Sequence, residues 1–401
     1  MATSGGGYRL NKVLNRIVPS LMFLMIFLGS RLVLNHSIPH LLANSSGDGH
    51  RWIKLYRLVF ISQLSLAVGW YLAIYFDLFG HHHSSANVTS SAIVQKIINK
   101  SIVYQCVDQI GSPLRCPICD DQIVPVRARH CLDCGICVPG FDHHCVWFAQ
   151  CISITSTLKP FIQVLVLGAT TIVAGAGPIY PIVVQHVKQV VRLTWSAQSS
   201  GDTLRRIWWD RWWGWAGGPV YRYMGGLCLG YLYYHEISPQ DASPSTPAAD
   251  DRPKTSPKGS SVLDEPSLSV LMIILAATMV LLVILAMLTI VFKNNILNGL
   301  STIEIERARR SRRSPGDARL IKLWVPPSAS AGQPTGKVVL VPPGLPIFDL
   351  RPSLNFQLIM GKRVWHWFVP WKTSGTPDGV EWPISDQWLG YLRSLDPYTE
   401  E

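Results

Sequence analysis

Between residues 116 and 151 the chain reads CPICDDQIVPVRARHCLDCGICVPGFDHHCVWFAQC, a run of 36 residues that holds seven of the nine cysteines and three of the twelve histidines. Cys116-x-x-Cys119 and Cys131-x-x-Cys134 have the spacing at which two thiolates turn back onto one tetrahedral ion. His130, Cys137, His144 and Cys151 raise the candidate ligands to eight, enough to close two sites of three thiolates and one imidazole each. Closed sites are structural, because no position is left for a substrate or water. Thiols kept in metal-type spacing also point to a reducing compartment, and so to the cytosolic side of any membrane.

Eight ligands leave His143 and Cys145 over, inside the tetrapeptide Asp142-His143-His144-Cys145. A thiol within reach of an imidazole that adjoins a carboxylate is the arrangement that generates a thiolate nucleophile and orients its base. The plainer reading makes every one of these residues a ligand or a spacer, and the ligand count argues against it. Cys106 and Cys228 stand outside the set and read as small apolar residues.

Only 15% of the residues are charged and 48% are hydrophobic, a deficit of charge that points to a membrane rather than a soluble core. The formal net charge of +11 then reads as attraction to an anionic lipid face, and a nucleic-acid partner is not expected. Four apolar runs, Ile17 to Leu34, Leu58 to Phe76, Phe161 to Val184 and Leu268 to Phe292, are each about long enough to cross a ~30 Å hydrocarbon layer. Pro178 and Pro181 predict a kink in the third. Lys293, Arg307, Arg309, Arg310, Arg312 and Arg313 follow the fourth run, and positive charge so close to a span stays inside. With an even number of spans, both termini and the cysteine-rich loop fall in the cytosol. Residues 203–236, with five tryptophans between Trp208 and Trp215, read as an interfacial or re-entrant layer, and residues 240–266 as a flexible Ser/Pro-rich linker.

The cysteine-rich stretch resembles that of the DHHC-type protein S-acyltransferases, the palmitoyltransferases. The resemblance implies a first zinc held by Cys116, Cys119, His130 and Cys137, and a second held by Cys131, Cys134, His144 and Cys151. It makes Cys145 the acylated nucleophile, His143 its general base and Asp142 the residue that orients the base. Pro125-Val126-Arg127-Ala128-Arg129-His130-Cys131 is similar to the family run whose basic residues, here Arg127 and Arg129, contact the phosphates of coenzyme A. Departures lie between and after the ligands: ten residues rather than nine separate Cys119 from His130, Ala149 and Gln150 replace an Asn pair, and Ser153 and Ser156 replace a Gly and an Asn. In the tail, Ser301-Thr302-Ile303-Glu304 is close to the family's Thr-Thr-x-Glu motif, and Phe348-Asp349-Leu350 with Asn355, Gly361, Trp367 and Pro370 resembles its C-terminal aromatic and Asn motif.

The expectation is an all-α integral membrane protein: four transmembrane helices, with a cytosolic zinc-binding cysteine-rich domain between helices two and three. Residues 1–80 form the N-terminal segment and first two spans, and 81–160 the cysteine-rich domain. Residues 161–292 hold spans three and four with a lumenal Trp-rich insert, and 293–401 form a cytosolic tail. The resemblance implies transfer of a palmitoyl or other long acyl chain from acyl-CoA to protein cysteines through an acyl-enzyme, with two structural zinc ions. Partners are then proteins with juxtamembrane cysteines, at an endomembrane such as the endoplasmic reticulum or Golgi. A second reading, from another class, is a membrane scaffold whose zinc domain binds partner proteins and whose catalysis has weakened, motivated by Ala149, Gln150 and Ser153.

Overall fold

Long uncharged runs become long helices, because a backbone out of water must satisfy its own N–H and C=O groups. The computed structural model describes residues 5–39, 49–79, 91–195, 205–237, 268–313, 320–327, 335–371, 376–379 and 381–399. Its helices are α1 (Gly5–Leu32), α2 (Gly49–Tyr75), α3 (Ser91–Ile98), α4 (Leu158–Ala176), α5 (Tyr180–Trp195), α6 (Gly218–Ile237), α7 (Leu268–Val291), α8 (Thr302–Arg313), α9 (Pro352–Met360) and α10 (Asp386–Ser394). Wider-wound turns extend α1 through Val33–Ser37 and α7 through Phe292–Leu297. Four stretches are long and apolar enough to cross a membrane: Val13–Ser37, His50–Tyr75, Leu158–Ala176 and Val270–Leu297. Their number and order match the four expected spans.

The third span differs from expectation. The apolar run continues past residue 176, but the helix stops at Ala176 and a new one starts at Tyr180. Pro178 has no N–H to donate and disfavours a helical Gly177, so the chain breaks where a kink was expected. Pro181 is tolerated because it falls in the first turn of α5.

The all-α expectation also needs amending, because the segments between and after the spans carry small antiparallel sheets. Three are hairpins within the cysteine-rich stretch: β2 (Arg115–Cys116) with β3 (Gln122–Ile123), β4 (Arg129–Cys131) with β5 (Ile136–Val138), and β6 (Phe141–Cys145) with β7 (Gln150–Ser153). The fourth joins β1 (Tyr104–Gln105) to a tail hairpin, β8 (Ile321–Val325) and β9 (Lys337–Val341), in the order β1-β8-β9. The tail hairpin lies in residues for which the sequence suggested no structure.

The chain forms two compact units. The first comprises Met1–Phe27, Val59–Thr171 and Val280–Glu401. Its core gathers Tyr71 and Ile74 of α2, Phe148 and Ile152 of the cysteine-rich stretch, Phe161 of α4, and Leu323, Val339 and Ile359 of the tail. Cys145 belongs to this core, so the last metal hairpin is seated on apolar side chains from several elements.

The second unit comprises Leu28–Leu58 and Ile172–Met279. Within it, Ser37 Oγ donates to Gly175 O at 2.6 Å and Tyr56 OH to Ala174 O at 2.6 Å, which levels the ends of three helices. The Trp-rich insert is built rather than loose. Gly230 of α6 lies so close to α5 that an added Cβ would fall 2.8 Å from Val190 O, and Arg222 is buried, donating to Trp209 O at 2.8 Å. The α6 helix is not among the four candidate spans. The Ser/Pro-rich linker at 240–266 lies outside the described residues.

Candidate active site and metal centres

Each hairpin exists to bring a Cys-x-x-Cys turn or a Cys/His strand to one point. Asp120 and Asp121 (φ 43° and 58°) and Gly135 (φ 72°) take the left-handed backbone that lets the two knuckles fold over within a few residues. The β4–β5 register sets His130 opposite Cys137, and β6–β7 sets His144 opposite Cys151. The donor atoms of Cys116, Cys119, His130 and Cys137 all lie within 4.8 Å of one another, and so do those of Cys131, Cys134, His144 and Cys151. In the second quartet His144 Nδ1 is 3.5 to 3.6 Å from all three sulfurs, and Cys134 Sγ is 3.4 Å from Cys151 Sγ. In the first, His130 Nδ1 is 3.1 to 3.9 Å from its three sulfurs. A tetrahedral ion with Zn–S of about 2.3 Å and Zn–N of about 2.0 Å needs ligand separations of roughly 3.5 to 3.8 Å. Both quartets fit.

The chemistry of the donors points the same way. Without a cation, hydrogen bonds from Cys134 and Cys151 pull the Cys131 thiol far below its ordinary range. In turn, hydrogen bonding to Cys131 pushes Cys134 up to about 12 and Cys151 far up. One sulfur ionises at the expense of its neighbours, a conflict that a divalent ion at the centre removes.

Strand β6 explains why two adjacent histidines end up in different places. Side chains alternate along a strand, so His144 turns to the metal quartet while His143 and Cys145 share the other face. A register shift between Phe141 and His143 folds Asp142 back beneath its neighbour, and Asp142 Oδ2 lies 2.8 Å from His143 Nδ1. Asp142 is 1% exposed. Its carboxylate accepts from Thr302 N at 2.8 Å, Thr302 Oγ1 at 2.9 Å and Asn295 Nδ2 at 3.1 Å, in addition to the imidazole. Burial alone would raise the Asp142 pKa, but the His143 hydrogen bond and charge, with those from Thr302 and Asn295, hold it below the usual carboxylate value. Burial pulls His143 down, yet its bonds to Asp142 and to Cys145 push it up to about 10. An imidazole held by Nδ1 on a carboxylate presents Nε2 to the thiol, and a raised pKa favours it as the holder of the thiol's proton.

The surroundings of Cys145 are apolar and aromatic. Phe161 meets His143 edge-on at 6.0 Å between centroids and Phe148 at 5.5 Å, and Tyr71 OH donates to Trp147 O at 2.8 Å, closing the turn after the cysteine. Ala149 sits in that turn at φ 50°, a conformation that Asn, the residue of the resembled pattern, tolerates better. Gln150 donates to Tyr75 O at 3.3 Å, at the end of α2. Ser153 is fully buried, with its hydroxyl on Pro139 O at 2.5 Å.

Arg127 and Arg129 do not form a common exposed basic face. The Arg127 side chain is 4% exposed: its Nη2 donates to Glu304 Oε2 at 2.8 Å and Gly299 O at 3.0 Å, and its guanidinium lies between the faces of Phe348 and Trp382 at 5.1 and 4.7 Å. It ties the cysteine-rich stretch to the tail. Arg129 is partly exposed on β4.

Two site residues carry no sequence signal strong enough to find them. Asn295, at the end of the fourth apolar run, reaches Asp142 across 153 positions, and Asn15 of α1 reaches His144 across 129. The Asn15 amide atoms lie 3.2 and 3.4 Å from His144 Nε2. Since His144 faces the sulfurs through Nδ1, its proton is on Nε2, and Asn15 must present its oxygen.

Comparison with known proteins agrees with this architecture. The family model of the DHHC palmitoyltransferases matches residues 109–309. Mouse palmitoyltransferase ZDHHC4 is 46% identical over 56 residues, 14% of this chain and 16% of the relative. Palmitoyltransferase spe-10 of Caenorhabditis elegans is 44% identical over 54 residues, 14% and 15% of the two chains, and palmitoyltransferase swf1 of Schizosaccharomyces pombe 38% over 57 residues, 14% and 16%. The matched segments thus span less than a fifth of each relative's length.

Proposed function

The chain belongs to the DHHC palmitoyltransferase family, and from that premise we propose that it is a membrane-embedded protein S-acyltransferase using acyl-CoA. The observation that carries the proposal is the buried Asp142 carboxylate with four hydrogen-bond donors upon it, one of them His143, which shares one face of strand β6 with Cys145. A scaffold needs no carboxylate held ionised in a dry site behind an imidazole and a thiol, so the binding-only reading has less support.

In the proposed reaction His143 Nε2 takes the Cys145 proton as the sulfur attacks the thioester carbonyl. The C–S bond to coenzyme A breaks, its thiolate leaves with the proton from His143, and the acyl group is carried on Cys145. A substrate cysteine then attacks this thioester, giving its proton through His143 back to the Cys145 sulfur as that sulfur leaves. Asp142 fixes the imidazole tautomer and stabilises the imidazolium, while Asn295 and Thr302 fix Asp142. Zinc in the two quartets supplies structure: at roughly 10 kcal/mol or more per site it holds together hairpins with little core of their own. The apolar side chains about Cys145 suit a long acyl chain, with partly exposed Arg129 available to the coenzyme phosphates. Substrates are membrane-associated proteins with cysteines near the bilayer, and an endomembrane location with the zinc domain and both termini in the cytosol fits the charge distribution.

The test is incubation of the purified protein with labelled palmitoyl-CoA. Wild type becomes labelled through a hydroxylamine-sensitive bond and passes the label to a cysteine peptide. Cys145→Ser loses both, with zinc content unchanged, because a hydroxyl is a far weaker nucleophile near neutral pH. His143→Ala slows labelling by about 10²–10⁴-fold and keeps its metal, whereas His144→Ala loses metal first. Full transfer by Cys145→Ser would sink the assignment.

A further inference from the structure

Residues 364–371 of the tail divide their side chains between two environments. His366 is buried, and Trp367 packs edge-on against Phe356 at 5.1 Å with its Nε1 on Gly361 O. The other half of the segment is turned away from the protein: Trp365 is 55% exposed, Phe368 72% and Trp371 59%, and Lys362 and Arg363 immediately before them are exposed as well. Trp365 meets the ring of His366 edge-on at 4.1 Å between centroids, yet more than half of each of the three aromatic side chains stays exposed within seven residues, beside two cations, a surface that the fold leaves largely uncovered.

The position of this surface is fixed by helix α4. Gln163 Nε2 donates to Trp367 O at 2.7 Å and Val369 O at 3.0 Å, and Lys159 Nζ donates to Trp371 O at 3.2 Å. Lys159 and Gln163 are one turn apart in the first two turns of Leu158–Ala176, and both are buried. That helix has 19 residues, about 28 Å at 1.5 Å per residue, which is close to the whole hydrocarbon thickness. There is no slack for its first turns to stand well clear of the bilayer. The tail carbonyls that satisfy Lys159 and Gln163 therefore lie at the membrane boundary, and the outward rings lie at headgroup level, where Trp is favoured.

We infer that residues 362–371 are a membrane-interface anchor, with Trp365, Phe368 and Trp371 seated among headgroups and Lys362 and Arg363 on the phosphates of anionic phospholipid. This rests on reading α4 as a span. The occupant is lipid rather than a protein partner because the cations adjoin the rings at the level where lipid phosphates lie, and each basic group near an anionic surface contributes about 1 kcal/mol. The anchor would hold the tail, and with it the Arg127–Glu304 tie, against the end of α4.

The experiment uses full-length protein in nanodiscs of phosphatidylcholine, with or without phosphatidylserine, doped with a phospholipid carrying a photoactivatable group near its glycerol. Mass spectrometry then reads labelling of the peptide containing residues 364–372 and of peptides from α4. The expected result is labelling of both, stronger at 364–372 when phosphatidylserine is present. Lys362→Glu and Arg363→Glu should each weaken the phosphatidylserine-dependent part about fivefold. Trp365→Ser with Phe368→Ser and Trp371→Ser should remove labelling of the segment while α4 stays labelled and zinc content is unchanged. Labelling of α4 with none at 364–372, equal labelling with and without phosphatidylserine, or adducts through this peptide to a second copy of the chain would each overturn the anchor. Absence of label from α4 itself would instead remove the span.

Discussion

An imidazole that gives Nδ1 to a metal carries its proton on Nε2, and at His144 that proton faces Asn15, an uncharged residue in the first membrane helix. Hydrogen bonds of this kind fix the ring of a ligating histidine, and losing them costs about 10–100-fold in metal affinity or activity. Asn15→Leu should therefore release one of two zinc ions to a chelator about 10–100-fold faster than wild type, with the other unaffected. Asn15→Asp, which keeps an acceptor, should stay near the wild-type rate. Equal release by wild type and the leucine variant would show that the contact holds nothing. The neighbouring His143 makes a pH prediction whose sign follows from its raised pKa of about 10. A histidine whose folded pKa lies above its unfolded value stabilises the fold fully below the unfolded value of about 6.5 and loses that contribution as pH rises through the folded one. The excess Tm of wild type over His143→Gln, measured with zinc in constant excess, should be largest near pH 6 and shrink toward pH 10. A gap that widened with pH would contradict the Asp142–His143 ion pair.

Among the elements, the metal-binding turns of the cysteine-rich stretch were the most legible, because metal ligation is local: two residues between cysteines fix a turn whatever surrounds it, although the strands flanking those turns were not foreseen. The tail hairpin at Ile321–Val325 and Lys337–Val341 was not, because two short strands gain their partner β1 from more than 200 residues away and bury their faces on distant side chains. The third span ends before its apolar run does, at Ala176, because Pro178, which predicted a kink, stops the helix outright. Arg127 shows how much of a residue's surroundings a local motif leaves out. Its family-like position suggested a phosphate contact, yet Phe348, Trp382 and Glu304, all far along the chain, close over it. Breaking a buried pair leaves one charge unpaired and costs about 3–5 kcal/mol. Arg127→Ala should then lower the unfolding free energy by about that much, while the double variant Arg127→Met with Glu304→Gln recovers a large part. If Arg127→Ala were stable and raised only the KM for acyl-CoA, the arginine would be a coenzyme contact after all.

For the molecule as a whole, the sequence of apolar and polar segments fixes which parts can share a side of the membrane. The cysteine-rich stretch lies between the second and third candidate spans, and residues 320–399 follow the fourth. Strand β1 before the zinc hairpins pairs with β8 in the tail, and Thr302 and Glu304 beyond the fourth span bond to Asp142 and Arg127. Segments that share a sheet and a buried carboxylate are on one side, so an even number of crossings separates them, and the two spans between satisfy this. An additional crossing by α6 would make three and put the tail opposite the zinc hairpins, which those contacts forbid. The arginines of α8, including Arg309, Arg310, Arg312 and Arg313 close after the fourth span, are the charge from which the proposed cytosolic assignment of that common side is argued. Glycosylation or protease reporters at residues 120 and 340 should consequently both read cytosol, and one at residue 245 the lumen. A lumenal result at 340 with a cytosolic one at 120 would mean that the tail and the zinc hairpins never meet, and the Asp142–Thr302 contact on which the proposed catalysis depends would fall with it.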